Sequence, residues 1–575
     1  PHMHGRGVRQ YLKMGTTPDS LACASHLEHW DFHWQEFYFY KTPLSITPTT
    51  ALQVTCEYDT SQDAQPVLPG WGTRNEMCLT VLMVDAQVDG GTSAAPLAPY
   101  LTSRTRDEAQ WKWLIGEDFH GLNQQEAVSP KLKTPTHAHV FRGFNEGNRI
   151  DTRHFIGVGS LATGGLSNAW GCGVARLNAS DLPALPFDYA ELERSYAAVS
   201  RRIGISGQAD DDLSSYFGLD EWSQPPLPMD PLHQRLLDRY TRRQPSFPAL
   251  GFRLGRSRVA ALSQPLGERK ACDLSGNCLW GCQNQALYSA AQELATLKQY
   301  PGFQHIQGVL VDDLSRQPDG SWVISDRHAS RRVGARRLLL AAGTLATTRL
   351  VLKQLNHTAA VRLLSSPTAA FLLWLPSMLG TPRVSTFGLG QLSFALELAA
   401  GTCAFGSTFS TTGLPMSEFV SRIPMSKRLA IELSNNLLSA CLVGNIFLPG
   451  HLSNNTARLR PDGSLSVNGG LQPEAPGLMK NAEARLRRIY WKMGALLMPM
   501  SFTLAQPGAD IHYAGTLPMR ARPDVGETDS LGEVAGLPGV HVVDGACLPG
   551  LSEKSHTLTL MANADRIGRA LATQR

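Results

Sequence analysis

Two histidines near the carboxyl end of the chain are the residues best suited by type and setting to do chemistry. His512 and His556 each lie in a short turn that contains glycine or threonine, and the apolar strand between them ends in Asp544 and Gly545. An imidazole has an unperturbed pKa of about 6.5, so it can exchange a proton at neutral pH. We expect the two rings to stand over one face of a bound ring system, with the strand end near its polyol or phosphate arm.

The order of the motifs around these histidines carries a family resemblance. His512 with Gly515 and Thr516, the run 542–546 and the run 555–564 resemble the C-terminal signature of the glucose-methanol-choline (GMC) oxidoreductases, flavoenzymes that oxidise alcohols. The resemblance implies that His512 is the catalytic base and that His556 helps to bind the substrate hydroxyl. It also implies bound FAD, with cofactor contacts from Asp544, Gly545, Ala546 and Thr557.

Two further glycine-bearing stretches appear in the order that the resemblance implies. The first, 164–171, resembles the stretch that lies along the flavin, which implies cofactor contacts from Gly164, Gly165, Ser167 and Asn168. Ala169 stands where one relative has a histidine bonded to the flavin, so the FAD is expected to be noncovalent. The second is the strand-to-helix turn at Ala342 and Gly343, and a strand at Val309 is expected beside the adenine.

The first dinucleotide-binding unit is the part of the chain that departs from the resemblance. The apolar run 81–84 ends in Asp85, an acid of the kind that binds the adenosine ribose. The preceding turn holds only Gly70 and Gly72 of the three expected glycines, with too few residues after it for a helix. Three explanations stay open: a divergent or mis-framed first unit, FAD binding through the other contacts, or the same fold without flavin.

A cysteine cluster is the sharpest feature outside the resemblance. Cys272, Cys278 and Cys282 have a spacing that lets thiolates converge on one metal or iron-sulfur cluster. It resembles the spacing in catalytic subunits of some bacterial flavin-linked glucose dehydrogenases, where a cluster takes electrons from the flavin. Buried thiols or a disulfide are the alternative.

Composition limits the partners of the chain. It has 575 residues with 53 basic and 49 acidic side chains and no basic run, so nucleic acid is not expected as a partner. No stretch reaches the roughly 18 apolar residues of a transmembrane helix; the best, 369–375, is predicted to be core or a surface-docking segment. Ten cysteines fit a reducing compartment, and we expect a cytoplasmic protein.

These observations predict an α/β protein, in which a Rossmann-like FAD-binding domain accompanies a discontinuous α+β substrate domain built on a mostly antiparallel sheet. Residues 1–50 are expected to be irregular. The FAD-binding domain is expected at 51–180, 250–365 and 535–575, and the substrate domain at 181–249 and 366–534. Helices are predicted over 188–203 and about 481–497, and hairpin turns at 318–320 and 461–463.

The predicted function is oxidation of a CH–OH group in a small alcohol, polyol or sugar, with the two histidines as acid and base. Oxygen, a quinone and a redox partner all remain open as the final electron acceptor. The alternative is a protein of the same fold that has lost flavin and acts as a non-redox enzyme or a binding module.

Overall fold

The computed structural model describes residues 7–17, 20–29, 50–61, 63, 137–182, 185–382, 384–413, 433 and 437–574. The chain forms two compact units, residues 1–123 and residues 124–575, which are described separately below as the N-terminal unit and the C-terminal unit. The predicted Asp85 lies outside the described residues, as do Gly70 and Gly72. Among the described helices, none is long and apolar enough to cross a bilayer.

The N-terminal unit contains an antiparallel sheet of strands β1 (Gly7–Gly15), β2 (Ala22–Leu27) and β3 (Ala51–Tyr58), in the order β2-β1-β3. Residues 1–50 are therefore not irregular throughout, and β3 pairs with β1 rather than with strands of a flavin domain. Gln10 and Leu12 lie on the buried face of β1, and the strand was missed because polar residues interrupt its apolar alternation.

The strands and helices of the C-terminal unit alternate along the chain. The strands are β4 (Ile150–Arg153), β5 (Ile205–Ser206), β6 (Ser223–Gln224), β7 (Phe252–Arg256), β8 (Val311–Arg316), β9 (Trp322–Asp326), β10 (Arg332–Ala335), β11 (Leu338–Leu340), β12 (Val361–Leu363), β13 (Thr368–Trp374), β14 (Gly390–Glu397), β15 (Cys403–Ser410), β16 (Cys441–Phe447), β17 (Asn455–Leu459), β18 (Leu465–Asn468), β19 (Leu496–Leu497), β20 (Thr503–Leu504) and β21 (Val540–Val542). The α-helices are α1 (Ala138–Phe141), α2 (Phe144–Asn148), α3 (Tyr189–Ile203), α4 (Ser214–Phe217), α5 (Pro231–Arg242), α6 (Ala290–Leu297), α7 (Thr344–Gln354), α8 (Ala475–Lys492) and α9 (Thr557–Thr573).

A seven-stranded antiparallel sheet dominates this unit. Its order is β19-β13-β16-β15-β14-β7, with β20 paired to β13. Side chains of β13 and β14 such as Phe371 and Phe394 pack in one buried cluster with Leu236 of α5 and Leu486 of α8. The predicted mostly antiparallel sheet is confirmed.

Parallel pairing is limited to two-strand contacts in the described residues. β11 pairs with β21, β4 with β18 and β5 with β6, so the wide parallel sheet of a complete Rossmann-like domain is not present in that part of the chain. The core beneath β11 and β21 includes Trp322, Val351, Val542 and Ile567. Leu339 of β11 is 49% exposed, because it points to the face of the strand opposite the buried Leu338 and Leu340.

Local signals placed several elements correctly. Helix α3 begins after Asp188, whose side chain accepts from the amide of Ala190 as an N-cap. The turns at Gly320 and Gly463, both with positive φ, join β8 to β9 and β17 to β18 as predicted. The predicted strand at Val309 begins two residues later, at Val311. Helix α8 begins earlier than expected, at Ala475, because Pro476 suits its first turn.

Candidate active site

The turn that carries His512 is held by backbone contacts on both sides. Ala514 exchanges two backbone hydrogen bonds with Leu364, at 2.9 and 3.1 Å, and the Gly515 amide donates to the carbonyl of Gly545 at 3.0 Å. Ile511, just before the histidine, has φ of +59°, a left-handed conformation that costs energy for a β-branched side chain. The ring of His512 therefore projects from a strained and well-supported turn.

The loop that carries His556 is fixed by a buried polar network. The ammonium of Lys554 lies 2.7 Å from the Asp181 carboxylate and 4.4 Å from the centre of the Tyr216 ring. The hydroxyl of Tyr216 in turn donates to Glu553 at 3.0 Å. His556 follows directly as the residue that begins helix α9, whose N-terminus has no side-chain cap.

The two imidazole rings meet as the sequence predicts. Their centroids are 4.9 Å apart and their planes cross at 72°. His512 is 19% exposed at its side chain and His556 is 4% exposed as a residue, while the Phe447 ring lies 5.3 Å from that of His512. The pair thus forms a partly shielded face in which His512 is the more accessible ring.

Asp510 is a neighbour of this pair that sequence reasoning missed. Its Oδ2 lies 4.0 Å from Nδ1 of His512 and accepts from the Ser366 amide at 2.6 Å. Burial raises the pKa of Asp510 to about 8 and lowers the pKa of His512 to about 4. Burial and the neighbouring His512 hold the pKa of His556 well below its usual range. At pH 7 all three groups are therefore neutral.

Several polar atoms around the pair are buried without a hydrogen-bond partner among the described residues. They are Nδ1 of His512, Nδ1 of His556, Oδ1 of Asp510 and Oγ of Ser366. Buried polar atoms are nearly always hydrogen-bonded in folded proteins, since leaving one unpaired costs about 1–3 kcal/mol. Four such atoms in one place indicate a site that a bound polar molecule completes.

The Asp544 carboxylate accepts hydrogen bonds from other groups of the protein. It accepts from the Gly343 amide at 3.0 Å, from the Thr347 hydroxyl at 2.5 Å and from the Ala546 amide at 3.0 Å. Burial raises its pKa to about 6. These contacts join the end of β21 to the turn between β11 and α7, so the residue fixes the predicted cofactor bed rather than presenting a free acceptor.

The glycines of this bed differ in the space around them. A Cβ on Gly545 would lie 2.3 Å from the carbonyl oxygen of Tyr513, so this glycine is required by close packing. Gly343 has φ of +87° and Gly165 has φ of +59°, and a Cβ on either would meet open space. Those two backbone positions are accessible to a ligand.

The turn at Gly164 packs against the start of helix α6. The Ser167 hydroxyl donates to the Gly164 carbonyl at 2.5 Å and accepts from the Ala290 amide at 2.9 Å, and Ser289 donates to Asn168 at 2.7 Å. The side chains of Ser167 and Asn168 therefore shape the turn. Their predicted cofactor contacts depend on backbone atoms and on Gly165.

Tyr513 links the glycine-bearing segment to the histidine turn. Its hydroxyl lies 2.6 Å from the Ile156 carbonyl and 2.9 Å from that of Gly508, and it accepts from the Val158 amide at 3.2 Å. The segment that leads to Gly164 is thereby tied beside His512. The one signal for this role in the sequence is the position of Tyr513 directly after the histidine.

The three cysteines do not form the predicted metal centre. Each sulfur accepts from a backbone amide: Cys272 from Leu274, Cys278 from Gly388 and Cys282 from Leu287, at 3.3 to 3.4 Å. No group of three metal-binding side chains gathers anywhere in the described ranges, which include all three cysteines. Sequence spacing failed as a guide because the intervening turns direct the thiols to different backbone partners. Burial raises the pKa of Cys272 to about 11.

Comparison with known proteins divides the chain in the same way as its two units. Residues 497–564 match the family GMC oxidoreductase, and this segment contains Asp510, His512, Asp544 and His556. Residues 1–90 match the family copper type II ascorbate-dependent monooxygenase, C-terminal domain.

Curated relatives match the N-terminal part. DBH-like monooxygenase protein 1 of Homo sapiens is 35% identical over 83 residues, which are 14% of this chain and 13% of that protein. The Gallus gallus protein is 34% identical over 83 residues with the same coverage. The chain thus spans about an eighth of the length of these relatives.

A solved structure is similar over a larger part of the chain. Pyridoxine 4-oxidase from Mesorbium loti aligns with a TM-score of 0.47 and 13% identity, over 73% of this chain and 85% of that one. Residues 497–564, which carry the histidine pair, are similar to GMC oxidoreductases, and residues 1–90 are similar to a second class of oxidoreductase.

Proposed function

We propose that the C-terminal unit is a noncovalent FAD-dependent oxidoreductase that oxidises a CH–OH group of a small alcohol, polyol or sugar. The observation that carries this proposal is the pair of imidazoles 4.9 Å apart, each with a buried and unpaired Nδ1, inside the segment similar to GMC oxidoreductases. Such a pair can bind a hydroxyl group and remove its proton.

The residues around the pair fit a flavin at its ring end. Gly343 and Gly165 present backbone with no side chain in the way, and the unpaired atoms near His512 require polar partners. Ala342, Gly164, Ala546 and Thr557 would line the same bed, and the backbone near Ser167 and Asn168 would extend it. FAD, when bound, supplies the two-electron acceptor that no side chain offers.

The protein's own contribution is proton transfer at His512. Nδ1 of this ring faces Asp510 at 4.0 Å, which leaves Nε2 for the substrate hydroxyl. The imidazole takes the proton of that hydroxyl, and the positive charge it gains lowers the pKa of the neighbouring Asp510. His556, with its very low pKa, stays neutral and holds the substrate oxygen by a hydrogen bond.

The test is the visible spectrum of the purified full chain, with and without added FAD, before and after anaerobic addition of alcohols. We expect a flavin absorbance band that an alcohol substrate bleaches. His512→Ala keeps the band and loses the bleaching. His541→Gln removes another buried histidine of the same segment, and this variant should keep both the absorbance band and its bleaching. Bleaching that survives in His512→Ala would refute the role of this ring.

A flavin-free protein is the second candidate. It is favoured by the outer edge of β11, where Leu339 is exposed and no further parallel strand is present among the described residues. In that case the purified protein is colourless, does not take up FAD, and keeps the same thermal transition when FAD is added. Saturable FAD binding that raises the transition temperature would exclude this candidate.

For the N-terminal unit we propose a copper-binding β module, supported by the match of residues 1–90. Cys56 is disulfide-bonded, which favours an oxidising compartment over the cytoplasm expected from composition. Metal analysis of the full chain tests the first proposal: we expect copper and no iron. Thiol labelling before and after reduction tests the oxidising compartment. We expect additional thiols after reduction, whereas a protein from a reducing compartment would release none.

A further inference from the structure

One face of the C-terminal unit combines exposed arginines with exposed apolar side chains. Helix α8 presents Ala484, Arg487, Arg488 and Trp491 on one stripe, because residues three and four apart share a helix face. This stripe borders a groove of about 620 Å³ that Trp374 and the segment 496–499 also line. We call this the Arg–Trp surface.

The apolar part of this surface is unusually exposed. Trp491 is 67% exposed and Met500, at the tip of the adjoining turn, is 97% exposed. Large apolar side chains contribute most when they are buried, so a fully exposed methionine beside an exposed tryptophan requires an explanation. The indole nitrogen of Trp374, at the groove, is buried and has no acceptor among the described residues.

The turn that carries Met500 is rigid. Ser501 donates from its amide and its hydroxyl to the carbonyl of Met498, at 3.2 and 2.8 Å, and its hydroxyl accepts from the Leu372 amide at 3.1 Å. Met500 itself adopts φ of +59°, a left-handed conformation that is costly for a residue with a side chain. The fold therefore holds an apolar side chain out into solvent instead of letting it fold back.

The charged part of the surface extends onto helix α5. Arg239 donates to the Met493 carbonyl at 2.8 Å and Arg243 to that of Lys492 at 2.6 Å, which places the end of α5 beside the end of α8. Burial and then the nearby Arg235, Arg242 and Arg243 lower the pKa of Arg239, so these cations lie close enough to repel one another. The surface accumulates positive charge at an energetic cost.

Few acids offset this charge. Glu483 pairs with Arg487 at 2.8 Å on the same helix, and Asp238 lies within α5 and accepts from Gln234. Arg488 has no hydrogen-bond or ion-pair partner among the described residues. The surface is thus net positive with apolar side chains at its centre and edge.

We propose that the Arg–Trp surface docks the protein onto an anionic phospholipid bilayer. Exposed tryptophan and methionine enter the interface between headgroups and acyl chains, while the arginines bind lipid phosphates. A soluble anion would account for the arginines but not for the apolar tip, and a hydrophobic protein partner would not account for the net positive charge.

The test is co-sedimentation of the full chain with vesicles of phosphatidylcholine alone or with phosphatidylglycerol. We expect binding to the anionic vesicles and little to the neutral ones. Since each basic residue near the membrane contributes about 1 kcal/mol, Arg487→Glu/Arg488→Glu weakens binding at least about tenfold. Met500→Ser also weakens binding but leaves its salt dependence unchanged, because it removes apolar contact and changes no charge.

Arg331→Glu/Arg332→Glu is the matched control, since it makes the same charge change at two adjacent exposed arginines on the β9–β10 hairpin. Its binding stays near that of the unmodified chain, and thermal transitions show that all variants are folded. Equal loss in this control, or equal binding to neutral and anionic vesicles, overturns the proposal. So does binding to a mixed-sequence oligonucleotide that depends on Arg487 and Arg488 while vesicle binding is absent.

Discussion

Asp510 and His512 face each other across a strained residue, with Oδ2 of the acid 4.0 Å from Nδ1 of the imidazole and Ile511 at φ +59° between them. Burial shifts the two pKa values in opposite directions, up to about 8 for Asp510 and down to about 4 for His512. Both groups are therefore neutral in the folded protein at pH 7. A proton gained by His512 would place a positive charge beside Asp510 and lower the pKa of that carboxyl group.

This arrangement predicts how stability depends on pH. Asp510 keeps its proton in the folded protein up to about pH 8 but loses it near its model value of 3.8 when unfolded, so its contribution to stability falls as pH rises from 4 to 8. The lowered pKa of His512 makes its contribution to stability increase with pH up to about pH 6.5, which opposes the decrease from Asp510. Between pH 6.5 and 8 the fall from Asp510 remains, on the order of 2 kcal/mol.

The Asp510→Asn variant should lose this fall, because the amide does not titrate while it can still accept from the Ser366 amide. Thermal transitions measured at half-unit steps of pH give the two slopes. Asp151→Asn, which removes an exposed acid elsewhere in the unit, serves as the control and should keep the slope of the unmodified chain. Parallel slopes for Asp510→Asn and the unmodified chain would mean that Asp510 is ionised in the folded protein.

A second prediction concerns the buried ion pair of Lys554 and Asp181. Lys554→Met leaves the Asp181 carboxylate without its cation, and breaking a buried pair from one side typically costs about 3–5 kcal/mol. Lys554→Met/Asp181→Leu should recover part of that loss, because neither charge then remains. A double-mutant cycle from denaturant unfolding measures the coupling. Additive losses would show that the pair contributes no coupling energy.

A third prediction distinguishes a glycine that close packing requires from a glycine whose backbone is accessible to a ligand. Gly545→Ala should destabilise the protein strongly, since its Cβ would lie 2.3 Å from the Tyr513 carbonyl oxygen and 2.5 Å from Oγ1 of Thr344. Gly165→Ala should cost only about 1–2 kcal/mol for the left-handed backbone, because its Cβ meets open space. FAD titration of Gly165→Ala should show weaker binding. Unchanged FAD affinity would place the flavin away from Gly165.

A fourth prediction concerns the hydroxyl of Tyr513. Tyr513→Phe leaves the Val158 amide without its acceptor and the Ile156 carbonyl without its donor, which costs about 1–3 kcal/mol. Because the ring packs tilted against Phe155 at 5.3 Å, the core should otherwise be preserved. Hydrogen exchange should increase over 156–165 and not over β13 to β16. Uniform protection throughout would show that the hydroxyl does not hold this segment.

Much of the fold could be read locally. The two Pro-Asp-Gly turns predicted hairpins because glycine adopts positive φ at low cost, and apolar spacing predicted α3 because residues three and four apart share a helix face. The strands of the N-terminal unit were missed because their apolar alternation is weak. The wide parallel sheet was predicted from motif order, yet β11 and β21 form a two-strand pair in the described residues.

The sequence by itself predicted that His512 and His556 form the site, from a motif order that resembles the GMC oxidoreductases, and the structure brings the two rings together. The sequence could do so because side-chain type and spacing are written in the chain. Only the tertiary structure decided that the Asp510 side chain is buried beside His512, that the Asp544 carboxylate faces its own protein, and that the three closely spaced cysteines form no three-ligand metal site among the described residues. Those outcomes depend on desolvation and on partners far away in sequence, which exist only once the chain has packed.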